Sequence, residues 1–500
     1  MTSETRQRPA SAAASGLLAG AALAAIGVSV LLTIVIGLLG PSPMVPGLSG
    51  PGWQPPYSLD VHPDPHLTIA LAAVALVLGG LGLLAALAAR TGVPRAWARR
   101  LVVAGCLAAG VLAFLPPSGS ADHLNYAAYG RMVTLGVNPY THGAIALPGD
   151  PVAAAVEAPW REEPSVYGPV ATALHALASW VGGDSLRLTI FVLALFNAAA
   201  FIATALLIDR FTRHDPALRL RAALLWAANP LLLYHLVAGL HVDTLAVACM
   251  VAALLARSRP VGSGLLLGLG VAVKLNAGLV ALGPAWELRR RPGRLAVMAG
   301  CAVAVVVAGY AIVGTEAIEP LTRTSKAISH ASFWKLVQGW LQDLVGVGSA
   351  YRGEIQIGSL LVLALVTWSL LRLATRTRQS AAPGSSEGLS APVVAAALAV
   401  AYVFATPYVL PWYDGLAFGM LALVGASAVD SFVVAHLLAL SLAYLPARVE
   451  GQPEDLEWLR TVLRPQIGWV LLALTIALVV SAWRAGGRVR TRPASGAPRP

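Results

Sequence analysis

The sequence predicts an all-α protein that crosses a membrane many times. Of its 500 residues, 57% are hydrophobic and only 12% are charged, whereas soluble chains carry about 25% charged residues. The mean hydropathy is +0.71, and several apolar runs exceed the ~20 residues that a helix needs to cross a bilayer. Short basic loops separate these runs, as the positive-inside rule expects of a multi-pass protein. We therefore expect a bundle of about 12–14 transmembrane helices.

The apolar runs define the individual spans. Twelve spans fit the pattern, at residues 15–39, 67–89, 101–115, 185–208, 220–237, 239–256, 295–314, 355–372, 389–405, 413–429, 431–446 and 466–484. Arginine clusters mark the cytoplasmic ends, for example at Arg95, Arg99 and Arg100. The helix expected after Tyr167-Gly-Pro169 is too short to cross, so we place it along the outer surface.

The same map divides the chain into regions. Residues 1–14 form a basic cytoplasmic tail, 15–484 the transmembrane domain, and 485–500 a disordered basic cytoplasmic tail. Within the transmembrane domain, residues 116–184 form the first large extracytoplasmic loop, which carries short surface helices, and 315–354 form the second. Both termini are then cytoplasmic, in a multi-pass protein of the cell membrane.

Composition also excludes some functions. The net charge of +11 comes from short loops between spans, so it does not indicate nucleic-acid binding. The three cysteines, Cys106, Cys249 and Cys301, all lie inside apolar runs. They fit neither a disulfide framework nor a metal site. No Walker A or Gly-x-Gly-x-x-Gly unit is present, which argues against a cytoplasmic nucleotide-sugar domain.

The first outer loop contains the most polar and aromatic stretch in the first part of the chain. Ser120 is suited to cap a short helix that Gly130 would end. Asp122, Tyr126 and Tyr129 then share one face. A carboxylate in the first helical turn feels the positive end of the helix dipole, which favours its ionised form. This pattern fits a general base outside the membrane, and equally a capped interfacial helix.

Segment 261–288 is expected to break in its middle. Arginines flank both ends, and Lys274-Leu-Asn276 divides it into two arms that are each too short to cross a bilayer. We expect a re-entrant hairpin with Lys274 at its apex; two tilted spans are the alternative. A cation within a membrane segment is usually functional and has an anionic partner. That partner is either a phosphate or an acidic side chain in a structural ion pair.

Other outer positions are candidate sugar contacts, each with a structural alternative. Trp160 to Tyr167 could bind a sugar or anchor in headgroups, and Tyr140 lies in an Asn-Pro-Tyr turn. A further group is expected at the outer ends of other spans: His235, His241, Asp243, Trp412 and Tyr413. The two histidines and the aspartate lack a third firm metal ligand, so hydrogen bonding is favoured. For Trp412 and Tyr413, the structural alternative is a belt of aromatic residues at the membrane interface.

Several short motifs occur one after another between about residues 110 and 290. They are Asp122-xxx-Tyr126-Ala-Ala-x-Gly-Arg131, Gly136-Val-Asn-Pro-Tyr140, Trp160-Arg161, Tyr167-Gly-Pro169, Asn229-Pro-Leu, His235-Leu-Val-Ala-Gly-Leu-His241 and Val273-Lys274. This ordered set resembles the actinobacterial polyprenyl-phosphomannose-dependent α-(1→6)-mannosyltransferases, which have the GT-C fold. One departure is Leu124, where the family often has an aromatic residue.

The resemblance implies an activity and roles for residues. It implies transfer of mannose from polyprenyl phosphate mannose to a mannan or lipomannan acceptor, with inversion, outside the cytoplasm. Asp122 would be the general base, and the cations that bind the donor phosphate would come from Lys274, Arg131, Lys326 and His330. Tyr126, Tyr140, Trp160, Tyr167, His235, His241, Asp243, Trp412 and Tyr413 would contact the sugar or acceptor. No cofactor and no divalent metal are required by these residues.

Two other functions fit the sequence. Another lipid-phosphate-sugar transferase of the same fold, acting on protein hydroxyls or transferring arabinose, has no residue-level distinction here. A transporter or lipid flippase also fits many spans and a broken helix with a charge. The polar residues gather in outer loops, which favours surface chemistry over transport.

Overall fold

The computed structural model describes residues 8–324, 326–381, 389–448 and 450–488. Predicted tail residues 1–7 and 489–500 lie outside this part of the chain. The described residues form helices and no β-strand. The α-helices are α1 (Arg8–Leu39), α2 (Pro65–Ala88), α3 (Trp97–Ala113), α4 (Asp122–Thr134), α5 (Pro169–Gly182), α6 (Leu186–Thr212), α7 (Pro216–Leu225), α8 (Pro230–Leu232), α9 (Asp243–Leu255), α10 (Pro260–Val273), α11 (Leu282–Leu288), α12 (Pro292–Val313), α13 (Ile318–Thr324), α14 (Phe333–Val345), α15 (Arg352–Ala381), α16 (Ala391–Ala405), α17 (Asp414–Leu421), α18 (Val429–Ala443) and α19 (Arg464–Arg488).

The helices confirm an all-α polytopic membrane protein. Within the described ranges, seven helical segments are long and apolar enough to cross a bilayer: Ser15–Leu39, Pro65–Ala88, Leu186–Thr212, Pro216–Ala238, Pro292–Val313, Arg352–Gln379 and Glu454–Ala485. Four shorter apolar helices, α9, α10, α16 and α18, pack among them. Each sequence-predicted span contains a helix, but the span predicted at 413–429 holds only the eight residues of α17, too few to cross a bilayer, and the span at 220–237 is interrupted between α7 and α8. The total of 12–14 crossings stays a prediction.

The segment around Lys274 turns back on itself, as the sequence predicts. α10 ends at Val273, Lys274 has an extended backbone, and a 3-10 stretch from Leu275 to Ala281 leads into α11. The two ends of the segment lie side by side, because Arg257 Nε is 3.4 Å from Glu287 Oε1. α10 has 14 residues, so the apex lies about 20 Å from the basic ends along the helix axis.

Residues 116–184, predicted to be extracytoplasmic and called the first outer loop for that reason, are built on the contact between α4 and α5. α4 begins at Asp122 and continues through Gly130 to Thr134, so the prediction that Gly130 ends the helix is wrong. A Cβ atom at Gly130 would overlap the backbone carbonyl of His175 on α5. Gly130 is therefore needed where the two helices approach closely, and three short 3-10 turns connect them around the outside.

The second outer loop also contains helices. α13 and α14 lie between α12 and α15. α14 is amphipathic, with Phe333 and Trp334 buried and Lys335 and Asp343 exposed, as expected for a helix on a membrane surface.

The segment 235–243, predicted as a polar turn at the surface, is instead buried among the helices. Its first residues belong to a π-helical turn, Leu233–Ala238, which extends α8. This burial positions His235, His241 and Asp243 beneath the outer loops.

Candidate active site

Helix α4 presents Asp122 at its first position. The Asp122 backbone N–H donates to Ser120 Oγ over 3.1 Å, which supports the start of the helix. The Asp122 side chain is 28% exposed. The Asp122 side chain is thus partly exposed, while the backbone of the residue is held in place by Ser120.

Tyr126 and Tyr129, one and two helical turns after Asp122, fix α4 to the rest of the loop. Tyr126 stacks on His175 of α5 with ring centroids 4.9 Å apart, and its hydroxyl lies 3.4 Å from that of Tyr167. The Tyr129 hydroxyl donates to the Glu163 carbonyl over 2.9 Å. Both tyrosines are buried, so they orient the helix that carries Asp122.

A buried histidine supports the other side of Asp122. His241 Nε2 lies 3.7 Å from Asp122 Oδ2 and 3.1 Å from Ser120 Oγ. His241 Nδ1 faces the backbone carbonyl of His235 and donates to it, so the network assigns the unprotonated nitrogen to Nε2, which accepts from the Ser120 hydroxyl. The His241 ring stacks on Trp412, with centroids 3.6 Å apart.

The hairpin apex brings a cation to the same place. Lys274 Nζ lies 2.7 Å from both carboxylate oxygens of Asp243 and 4.1 Å from the centre of the Tyr413 ring. The Lys274 side chain is 15% exposed and that of Asp243 is 7% exposed. Asp243 therefore acts as the anionic partner of Lys274, which is one of the two arrangements the sequence left open.

These surroundings set the proton affinity of Asp122. Burial raises the pKa of its carboxyl to about 6, although the charge of Lys274 lowers it; Asp243 raises it further. The helix dipole favours the ionised form, but loss of solvent outweighs it. A carboxyl with a pKa of about 6 is mostly ionised at neutral pH and is well suited to accept a proton.

The Asp122 side chain lines a cavity of about 540 Å³. The cavity wall combines acids, cations and aromatic rings from the two outer loops, the hairpin apex and the C-terminal helices. The polar and aromatic side chains that line it are Asp122, Asn125, Tyr129, Trp160, Glu163, Tyr167, Lys274, Ser329, His330, Tyr408, Trp412, Tyr413, Tyr444 and Arg464. Such a wall offers hydrogen bonds for hydroxyls and flat surfaces for the C–H faces of a sugar.

The structure brings together only part of the predicted site. Seven of the predicted residues line the cavity: Asp122, Lys274, His330, Trp160, Tyr167, Trp412 and Tyr413. Five other predicted contacts are buried and do not line the cavity: Tyr126, Tyr140, His235, His241 and Asp243. Tyr140, for example, bonds Thr172 through its hydroxyl, and His235 bonds Ser441.

The remaining two predicted cations lie away from the cavity wall. Arg131 forms ion pairs with Asp150 and Asp184, which fasten the first outer loop. Lys326 is exposed on the second outer loop.

Sequence reasoning missed several lining residues. Asn125 lies one turn after Asp122, and its Oδ1 is buried without a hydrogen-bond partner in the described part of the chain; the i, i+3 spacing was a usable signal. Tyr408, Tyr444 and Arg464 come from the C-terminal region, where no pattern in the sequence links them to Asp122.

The described residues contain no group of three or more His, Cys, Asp or Glu side chains arranged to hold a metal ion. The expectation that no divalent metal is required stays a prediction.

Comparison with known sequences gives related proteins. A family model described as alpha-(1→6)-mannopyranosyltransferase, N-terminal domain, matches residues 24–290. The chain is 26% identical over 338 residues to alpha-(1→6)-mannopyranosyltransferase A of Corynebacterium glutamicum, covering 60% of this chain and 66% of that protein. It is 26% identical over 252 residues to alpha-(1→6)-mannopyranosyltransferase B of the same organism, covering 50% and 37%.

A third relative is alpha-(1→6)-mannopyranosyltransferase A of Mycobacterium tuberculosis, 29% identical over 202 residues, or 38% of each chain. The alignments span less than two thirds of the length of these relatives. The matched family region includes Asp122 and Lys274 but ends before His330, Trp412 and Arg464.

Proposed function

Because this chain belongs to the alpha-(1→6)-mannopyranosyltransferase family, we propose that it transfers mannose from polyprenyl phosphate mannose to a mannan or lipomannan-type glycolipid. The names of its relatives support mannose and the α-(1→6) linkage. The observation that carries the proposal is the Asp122 carboxylate, which faces a cavity wide enough for sugars and lined by aromatic rings and cations. Residues 15–484 would form the transferase domain.

The chemical step needs one base and one anion site. The Asp122 carboxylate takes the proton from the acceptor hydroxyl, whose oxygen attacks the anomeric carbon of the donor mannose. The bond from that carbon to the phosphate oxygen breaks, and polyprenyl phosphate leaves with the bonding electrons. Attack opposite to the leaving group inverts the configuration. Phosphate is a good leaving group, so no general acid is required; positive charge in the cavity stabilises it.

The cavity walls suit the two substrates. Trp160, which is 49% exposed, offers an aromatic face to a sugar ring. Trp412 and Tyr413 also line the wall, with one face of Trp412 covered by His241 and one face of Tyr413 by Lys274. The Asn125 amide oxygen, which is buried and without a partner in the described chain, can accept a hydrogen bond from a sugar hydroxyl.

The hairpin supports an orientation of the chain in the membrane. Its basic ends, around Arg257 and Arg289, lie about 20 Å along α10 from the Lys274 apex that reaches the cavity. Placing those arginines in the cytoplasm puts the cavity on the extracytoplasmic side of the cell membrane, where a lipid-linked donor can enter from the outer leaflet.

The direct test is an assay of product. Membranes that contain the chain are incubated with radiolabelled polyprenyl phosphate mannose and a short α-mannoside, and the product is analysed for linkage. We expect one added mannose in α-(1→6) linkage, absent from control membranes without the chain. Transfer of another sugar from its lipid phosphate, or no transfer, would contradict the proposal.

A further inference from the structure

The C-terminal helix carries a cation into the cavity, and no carboxylate in the described part of the chain pairs with it. Arg464 starts α19 and lines the cavity. Its Nε donates to the backbone carbonyl of Ala443 over 2.8 Å, which fixes the side chain. Among the described residues no carboxylate lies within ion-pair distance of this guanidinium. Its remaining N–H groups are available to a ligand.

The other cation at the hairpin apex is already neutralised. Both oxygens of Asp243 contact Lys274 at 2.7 Å, so this pair contributes little net charge. Asp122 adds a negative charge beside it. An entering phosphate would therefore meet net negative charge near Lys274 and needs a separate cation.

A histidine and a lysine lie near Arg464. The pKa of His330, which also lines the cavity, is lowered by burial and then by the charges of Lys335 and Arg464, so its ring is neutral at neutral pH and can offer an N–H donor rather than a charge. Lys335 Nζ donates to the Gln338 amide oxygen over 2.8 Å rather than to a carboxylate. The positive charges of Arg464 and Lys335 thus disfavour protonation of His330, and an anion bound beside Arg464 would offset those charges.

We propose that Arg464, with His330 beside it, binds the phosphate of the lipid-linked donor and of the lipid phosphate that leaves. This assignment rests on the proposed function for the identity of the lipid. A guanidinium suits a phosphate because its planar N–H groups match two phosphate oxygens. The residue lies beyond the matched family region, which ends at residue 290.

The binding test uses farnesyl phosphate and farnesol with the full chain in lipid nanodiscs. Binding is followed by tryptophan fluorescence, since Trp412 lines the cavity. The wild-type chain should prefer the phosphate to the alcohol. Arg464→Gln should lose at least about tenfold of that preference, the scale of one charge-assisted hydrogen bond, and Arg464→Lys should lose less because it keeps the charge.

The matched control is Arg460→Gln. Arg460 lies one turn earlier, bonds the Gln452 amide oxygen over 3.3 Å, and does not line the cavity. It should keep the wild-type preference. Thermal unfolding checks that each variant is folded; if Arg464→Gln is not, Arg464→Lys is compared with Arg460→Lys. The proposal is wrong if Arg464→Gln keeps the preference for farnesyl phosphate over farnesol, or if Arg460→Gln loses as much of that preference as Arg464→Gln does.

The experiment separates this proposal from the proposed function, because binding of farnesyl phosphate requires no sugar transfer. If the wild type transfers mannose but Arg464→Gln keeps the phosphate preference, the transferase assignment holds and Arg464 is not the phosphate ligand. If the wild type transfers no mannose but the preference depends on Arg464, the phosphate site holds and the donor sugar is wrong.

Discussion

Removing Lys274 should destabilise the protein strongly, because it leaves a carboxylate buried without its cation. Asp243 is 7% exposed, and both of its oxygens are 2.7 Å from Lys274 Nζ. Breaking a buried pair of this kind costs about 3–5 kcal/mol. We expect a loss of that size for Lys274→Met. In the double variant Lys274→Met/Asp243→Asn, the loss should be smaller than the sum of the two single losses by about 1–3 kcal/mol.

The measurement is denaturant-induced unfolding in detergent micelles, followed by tryptophan fluorescence. Lys326→Met is the matched control, since Lys326 is exposed and lies outside the cavity wall; it should change the free energy of unfolding by less than about 0.5 kcal/mol. Strictly additive losses, or a Lys274→Met variant as stable as the control, would refute the view that the apex is held by this ion pair.

Three further predictions concern the base and the packing around it. The pKa of Asp122 is raised to about 6 by burial, so kcat/KM should be flat above about pH 7 and fall about tenfold per pH unit below 6, in a pH–rate profile. Gly130→Ala should lower stability and transfer together, since the new Cβ meets the His175 carbonyl, whereas Gly110→Ala, with open space around it, should be neutral or stabilising in thermal unfolding. Arg221 forms a buried ion pair with Asp430. Arg221→Leu leaves the Asp430 carboxylate buried without its cation, so it should lower the free energy of unfolding by about 3–5 kcal/mol without moving the pH–rate profile.

Hydropathy predicted the helices because the bilayer imposes a length and a composition on each span. The break at Lys274 was also predictable, since arginines at both ends of a short segment require the chain to turn back. Asp122 was found because helix start signals place it on an outer face. These features depend on residues that are near one another in the chain.

Contacts between distant parts of the chain could not be predicted in this way. The stacking of His241 on Trp412 and the lining of the cavity by Arg464 join segments that are far apart in sequence. Gly130 shows the limit of a local rule: glycine often ends a helix, but here it allows two helices to touch. The family resemblance implied that Arg131 binds a phosphate, yet Asp150 and Asp184 in the same loop hold its side chain.

In the proposed mechanism, the Asp122 carboxylate removes the proton from the acceptor hydroxyl. The most direct measurement compares turnover by the purified wild-type chain and Asp122→Asn with polyprenyl phosphate mannose and an α-mannoside, alongside binding of farnesyl phosphate. Loss of a general base costs about 10²–10⁴ in rate, and the amide is close in size to the carboxylate. We expect a turnover loss in that range with phosphate binding retained; near-normal turnover by Asp122→Asn would show that another group takes the proton.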